Sequence, residues 1–264
     1  MLKKIIHRIL FGPKSDTDKL ISSALGYPRY QHHQFKFRDY DLEVSDFLSV
    51  AYQLKEYFHD QRLSFLSSRK DPIILDCGAN VGVSVLYFKS IYPQAQIKAY
   101  EPDPAIFNYL QNNLEKNQIT DVELHRKAVW IDENGVEFGS EGADGGSVFF
   151  NGNRQKLESI SLKQVLENHE QIDLLKMDIE GAEVQVLDDC RTELHKVRFL
   201  FVEYHSWKGQ KQELDCLLNV LSENGFRYQI ESIGKSVSKP FGEHELSGHP
   251  MDVQLDIYAI NERL

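Results

Sequence analysis

The sequence predicts an α/β protein built on a mostly parallel sheet that finishes with an antiparallel pair of strands. Apolar, strand-like runs alternate with segments of helical periodicity from residue 72 to residue 223, the pattern of repeated strand–helix units. The first of these runs ends in an acid and breaks into the glycine-rich turn ILDCGANVG, closing at Gly82, before helical spacing resumes over 83–91. Such a junction sets backbone N–H groups and a helix start at the carboxyl edge of a parallel sheet, where nucleotide-like ligands sit. The last two apolar runs, 226–233 and 253–260, are joined by a polar loop with no helical pattern, and a connection without a crossover helix favours antiparallel pairing.

Residues 1–71 read as an extension ahead of a domain spanning 72–264. The segment MLKKIIHRILF places Leu2, Ile5, Ile6, Ile9 and Leu10 on one helical face and Lys3, Lys4 and Arg8 elsewhere. That pattern suits an arm packed on its own domain or on a second subunit, or a helix lying on an anionic membrane surface; its shortness weighs toward the arm. Residues 12–38 show weak periodicity and are expected to be irregular. Over 44–63 the positions Val44, Phe47, Leu48, Ala51, Leu54 and Phe58 predict a helix covering the sheet, so that the extension acts as a lid.

In the domain itself, strands are expected at 72–77 and 96–100, the second ending at Glu101. Asp103-Pro104 then supplies an N-cap and a favourable first helical residue for a helix with Ile106, Phe107, Leu110 and Leu114 in one stripe. A third strand covers 122–125 and resumes at 128–130. The glycine-rich stretch 132–152 reads as an excursion with strands at 136–138 and 147–150. A helix at 162–167 leads to a fourth strand at 172–177, which ends in Asp178-Ile-Glu-Gly-Ala-Glu183, with a helix over 184–187. A fifth strand, 197–202, ends in Glu203-Tyr204-His205. Leu214, Leu217, Leu218 and Leu221 make a last amphipathic helix, stopped by Asn224-Gly225.

At 264 residues, 41% apolar and 27% charged, the chain is an ordinary globular one with ample core. A net charge of −10 opposes polyanions, so nucleic acid is not the expected partner. The cysteines Cys77, Cys190 and Cys216 lie far apart without metal-ligand spacing, as expected of reduced thiols in a cytoplasmic protein. No run approaches the roughly 18 apolar residues of a membrane span, and no signal-peptide pattern is present.

The cofactor is read from the first strand and its neighbour. Glu101, at the end of the adjacent strand, suits a carboxylate accepting from ribose hydroxyls, a device that NAD enzymes share. Their phosphate fingerprint is GxGxxG, however, whereas this loop is Gly78-Ala79-Asn80-Val81-Gly82 preceded by Asp76. An acid there fits a pyrophosphate poorly and a cationic amino-acid ligand well, which points to S-adenosylmethionine. Cofactor contacts are assigned to Asp76, Gly78, Ala79, Asn80, Gly82, Ser84, Glu101 and Asp178. The alternatives are that the two glycines only permit the turn, that Asn80 caps the helix and that Ser84 is a first-turn hydroxyl.

The segments ILDCGANVGVSVLYF, YEPDP and DLLKMDIEGAEVQVL resemble the signature blocks of FkbM-type S-adenosylmethionine-dependent methyltransferases, with DIEGAE the most specific. The likeness covers 72–205. It implies a Rossmann-like class I methyltransferase fold, a seven-stranded sheet with an antiparallel last strand, and methyl transfer to a hydroxyl oxygen, often on a sugar.

Methyl transfer from a sulfonium is an in-line displacement whose main demand is positioning, but an alcohol also needs a base or a metal. Asp178, Glu180 and His205 are the catalytic candidates, with His205 the leading general base because imidazole titrates near neutrality. Glu183 reads as a helix-start carboxylate. Asp178 and Glu203 at adjacent strand ends also suit a hard divalent cation, although no metal motif is matched. Asp144 to Ser147, His244 and His249 are further candidates for acceptor contacts, with ordinary solvated loop residues the favoured alternative, and Trp130 and Trp207 could stack on a sugar or adenine face, although packing in the core or at the rim is commoner for tryptophan. The expected function is O-methylation of a carbohydrate or glycoconjugate precursor; a homodimer is the assembly that an N-terminal arm packed on a second subunit would make. The alternatives are methylation of a lipid or polyketide hydroxyl, a dinucleotide-binding oxidoreductase and a non-catalytic module of the same fold.

Overall fold

The computed structural model describes residues 15–139, 154–233 and 251–264. The segment 1–11, the loop residues 144–147, the strand expected at 147–150, and His244 and His249 lie outside the described residues. The first helix, α1 (Asp16–Ala24), begins with a reciprocal cap in which Ser15 Oγ accepts from Asp18 N and Asp18 accepts from Ser15 N. A two-stranded antiparallel hairpin follows, β1 (His33–Phe37) and β2 (Tyr40–Val44). The expectation of irregular chain over 12–38 is therefore corrected: this helix is held by its cap rather than by a strong apolar stripe, which is why periodicity passes it over.

Asp46 caps α2 (Phe47–Phe58) through Leu48 N and Ser49 N and is itself gripped by Arg29 at 2.5 Å. The helix is shorter at both ends than the 44–63 expected. Val44 already belongs to β2, and Leu63 lies past the helix end.

From there the strand–helix alternation holds: β3 (Ile73–Cys77), α3 (Val83–Ile91), β4 (Gln96–Tyr100), α4 (Pro104–Lys116) and β5 (Val122–His125). Short strands β6 (Ala128–Trp130), β7 (Val136–Gly139), β8 (Arg154–Leu157) and β9 (Ser159–Ser161) form two small pairs, β6 with β9 and β7 with β8. Then come α5 (Leu162–Glu167), β10 (Ile172–Met177), α6 (Glu183–Asp189), β11 (Val197–Trp207), α7 (Leu214–Glu223), β12 (Phe226–Ser232) and β13 (Met251–Asn261). The residues 128–130 thus leave the main sheet instead of resuming the third strand.

The seven-stranded sheet runs β12-β13-β11-β10-β3-β4-β5. Neighbours from β11 to β5 are parallel, and β13 slots antiparallel between β11 and β12. One face is covered by α2, α3 and α4, the other by α5, α6 and α7, each over its own apolar cluster. Leu42, Val44, Val50, Ala51 and Leu54 of the extension share the first cluster with Ile74, Leu86 and Leu110.

A pair of asparagines welds the extension to the domain. Asn113 is fully buried on α4; its Oδ1 accepts from Glu43 N at 2.7 Å, and its Nδ2 donates to Glu43 O at 2.9 Å and Val81 O at 2.8 Å. One turn later, Asn117 treats Asp41 of β2 the same way, accepting from its N and donating to its O at 2.9 Å each. The two amides stand in for a missing neighbouring strand and satisfy the open edge of β2. Because Asn113 also holds Val81, it links the extension to the glycine-rich loop. Asn113→Ala leaves buried backbone groups without partners and should cost about 2 kcal/mol of unfolding free energy in urea titrations. Asn117→Ala, at a half-exposed position where water can substitute, should cost under about 1 kcal/mol.

Candidate active site

The carboxyl edge of the sheet gathers most of the residues singled out from the sequence. After β3 the chain makes the turn Gly78 to Gly82, with Gly78, Asn80 and Gly82 all at positive φ. A side chain on Gly78 would place Cβ 1.8 Å from Asp178 O, and one on Gly82 would reach Leu110 Cδ1 at 2.8 Å. Both glycines are thus required by close packing of the loop on β10 and α4. Asn80 does not cap α3, which starts at Gly82 with no side-chain cap; its Oδ1 accepts from Val81 N instead.

The loop amides are spent internally. Gly78 N and Ala79 N donate to Tyr100 O, Asn80 N to Glu101 Oε2, Val81 N to Asn80 Oδ1 and Gly82 N to Ala79 O. A phosphate-binding loop needs such donors turned outward, so this one suits a ligand without phosphate. Glu101 accepts from Asn80 N at 3.0 Å and from Asp103 N at 2.9 Å, one bond to each oxygen. Burial raises its pKa to about 8, against the pull of those amides.

Asp76 is fully buried beneath the loop. Ser84 Oγ donates to its Oδ2 at 2.5 Å, and Lys176 Nζ lies 3.2 Å from its Oδ1. Lys176, the penultimate residue of β10, also donates to Gly78 O at 2.7 Å and lies 3.6 Å from Asp178 Oδ2. Burial alone would drive the proton off this lysine, but Asp76 and Asp178 outweigh it and hold its pKa above the ordinary value. Sequence reasoning missed Lys176. The available signal was a lone lysine in the apolar run IDLLKM, since a charge inside a buried parallel strand demands a counter-charge.

The expected fifth strand ended at Val202, yet β11 runs on to Trp207 because β13 pairs with it from Phe199 to Trp207. Glu203 and His205 therefore lie within the strand and share a face. Sheet register aligns Asp76, Lys176, Phe201, Tyr258 and Gln229 across five strands, and in the next row Glu203, Asp256 and Glu231. Arg62, beyond α2, pairs with Asp256 and lies 3.7 Å from Glu231. Beside this row is a cavity of about 460 Å³ lined by Asp60, Gln61, Arg62, Gln229, Glu231 and Tyr258.

His205 is buried among acids. Its Nδ1 lies 3.0 Å from Glu183 Oε1, and its Nε2 lies 3.4 Å from Glu203 Oε1 and 3.8 Å from Glu180 Oε2. Burial opposes its charge, but Glu180 and Glu183 prevail and hold its pKa well above the usual histidine value. Glu183 is more than a helix-start carboxylate: it is fully buried, and its Oε1 also accepts from Ile179 N and Gly181 N, pinning the turn on which Glu180 sits at φ 60°. Burial and the neighbouring Glu203 raise Asp178 to about 7, against Lys176 and His205; burial raises Glu180 well above the carboxylate range. From α2, Tyr57 is buried within the influence of Asp178 and Glu203, its pKa raised by burial first and by those acids second. Trp207 is buried near the end of β11, and Trp130 pairs through β6 with Ser161 of β9. Cys77, Cys190 and Cys216 are free thiols, the first two buried. Among the described residues no helix is long and apolar enough to cross a membrane.

Comparison with known proteins follows this geometry. The crystal structure of PH0793 from Pyrococcus horikoshii aligns with a TM-score of 0.50 at 11% identity, covering 89% of this chain and 74% of that one, a likeness of fold alone. Methyltransferase sdnD of Sordaria araneosa is 30% identical over 211 residues, 65% of this chain and 81% of its own. The 2-O-methyltransferase NoeI of Sinorhizobium fredii is 29% identical over 172 residues (55% and 68%), and the hexuronic acid methyltransferase AglP of Haloferax volcanii 23% over 188 (70% and 75%). The model of the methyltransferase FkbM domain matches residues 76–228, a span that takes in the glycine-rich loop, Glu101, the acidic turn after β10 and His205. By that match over more than half its length, the chain belongs to the FkbM methyltransferase family.

Proposed function

We propose that this methyltransferase uses S-adenosylmethionine to methylate a hydroxyl oxygen of a carbohydrate or glycoconjugate precursor. The observation that carries the reading is the polar row Glu203–Asp256–Glu231, which leads from the acids beside the loop to the cavity at Arg62 and Tyr258. Carboxylates, an amide and a phenol ring in one groove match the hydroxyl edges and apolar face of a sugar far better than an alkyl chain. The names of NoeI and AglP support the same acceptor class.

The crevice also suits the methyl donor. Each Glu101 oxygen, fixed by one amide, keeps a lone pair for a ribose hydroxyl. The loop Gly78-Ala79-Asn80 to Gly82 forms a wall with no call for phosphate, which disfavours a dinucleotide. Asp76 and Ser84 support that wall from beneath, and Asp178, directly after β10, would offer a carboxylate to positive charge on the ligand. Bound S-adenosylmethionine supplies an electrophilic methyl on a sulfonium.

The chain's own task is to align the acceptor and take its proton. With the donor bound, the acceptor oxygen would be held in line with the methyl and the Glu180 carboxylate would take the proton that the hydroxyl loses as it is methylated. His205, engaged by Glu183 and Glu203, orients the acids around it, so the base role expected for it passes to Glu180.

Transfer of radiolabelled methyl to hexoses or hexuronic acids and their glycosides, without transfer to long-chain alcohols, is the expected outcome; the reverse preference would sink the acceptor assignment. Glu180→Gln should lower kcat by about a hundredfold or more while S-adenosylhomocysteine affinity in calorimetry stays within about threefold. Glu101 gives a pH signature. Its carboxylate form grows as pH rises through about 8, so affinity for 5′-methylthioadenosine, a probe without an amine, should rise about tenfold from pH 7 to pH 9. In Glu101→Gln that affinity should be weak and flat with pH.

A further inference from the structure

We propose that Asp178, Glu203 and His205 form a binding site for one divalent cation. One ligand atom from each, a carboxylate oxygen from the two acids and an imidazole nitrogen from His205, lies within 4.8 Å of the others, a spread that a single ion can bridge. The three come from adjoining positions at the edge of the sheet: Asp178 directly follows β10, and Glu203 and His205 are alternate residues of β11, which pairs with β10 in parallel. Strand geometry sets their spacing, so the site is held by the sheet and not by a loop.

His205 supplies the second, independent observation. It is 5% exposed, and its Nε2 makes no hydrogen bond among the described residues while facing Glu203 and Glu180. Its Nδ1 is held at 3.0 Å by Glu183, which accepts no solvent because it is fully buried. A carboxylate behind one imidazole nitrogen, with the other aimed at a cluster of oxygens, is the arrangement that orients histidine as a metal ligand. Glu183 is locked in turn by Ile179 N and Gly181 N, so the orientation belongs to the backbone of the acidic turn.

Two carboxylate oxygens and one imidazole nitrogen suit a divalent ion of intermediate hardness such as Mn²⁺ better than the strictly oxygen-seeking Mg²⁺. Three protein ligands leave coordination positions open. The use of those positions rests on the function proposed above: the acceptor hydroxyl occupies one, and the ion stabilises the negative charge that develops on its oxygen. Glu180, at 3.8 Å from His205 Nε2, stays outside the triad and is left to take the proton.

The test is a titration of the full chain with Mn²⁺ alone, following loss of the free-ion signal by electron paramagnetic resonance. One bound ion per chain is expected. Glu203→Gln and His205→Gln should each weaken it at least tenfold, and Glu183→Gln, which removes no ligand, should weaken it about 10- to 100-fold. Glu223→Gln, at an exposed acid far from the triad, should leave it unchanged. Melting curves and S-adenosylhomocysteine calorimetry on the same samples separate folding defects from ligand loss. Absence of bound Mn²⁺ in a chain that still binds S-adenosylhomocysteine would overturn the cation site and leave the methyltransferase reading standing. Mn²⁺ binding undisturbed in well-folded Glu203→Gln and His205→Gln would overturn it as well. Loss of S-adenosylhomocysteine binding with the ion still held would strike the function and not the site.

Discussion

The site depends on one buried ammonium group. Lys176 stands between Asp76 and Asp178 and donates to the carbonyl of Gly78, so a single side chain joins β3, its loop and the end of β10. An ion pair this deep gains little net stability over an apolar pair, yet removing one partner strands a charge at a cost of roughly 3–5 kcal/mol. Its value is geometric. With Lys176 in place, Asp76 can sit fully buried and hold Ser84, which ties the loop to the first turn of α3. The glycine-rich turn is therefore anchored from below by charge and from the side by Glu101, and neither anchor consumes the space above it.

The same logic extends to the N-terminal extension. Asn113 binds Glu43 of β2 and Val81 of the loop through one amide, so the hairpin and the loop share a hydrogen-bonded node. The helix α2 then packs Leu54 into the core of the sheet and carries Tyr57 toward Asp178 and Glu203. Beyond the helix, Arg62 reaches over the sheet to Asp256. The extension thus supplies a wall of the crevice and part of the proposed acceptor groove.

Much of this was legible in the sequence where a local signal matched the global fold. The strands β3, β4 and β10 end where acids or a glycine turn interrupt apolar runs, and Asp103-Pro104 marks the start of α4. The antiparallel finish followed from a connection without helical periodicity. What escaped was whatever depends on register or on partners distant in sequence. The helix α1 rests on a reciprocal cap, β1 and β2 on pairing with each other and with α4, and the extra length of β11 on its contact with β13. Lys176 and Asp76 are adjacent only because β3 and β10 pair in that register, and Asp256 joins the row from the far end of the chain. Glu183 read as a helix-start acid because its bond to His205 crosses from α6 to β11.

The charge balance of the crevice carries the functional argument one step further. Among the described residues, Asp76, Asp178, Glu180, Glu183 and Glu203 are set against only Lys176 and His205 within ion-pairing reach. Burial first, and neighbouring acids after it, raise Asp178 to about 7 and Glu180 well above its ordinary value, while His205 and Gln254 hold Glu203 below its own against the cost of burial. A fold selected for stability alone would replace some of them with apolar side chains. Kept together, they make a cluster that positive charge from outside would complete, whether that of the proposed methyl donor or of the proposed divalent ion. In the function proposed here, ligand binding would relieve an electrostatic cost already present in the free protein, and the carboxylates would acquire their working ionisation as the positive charge arrives.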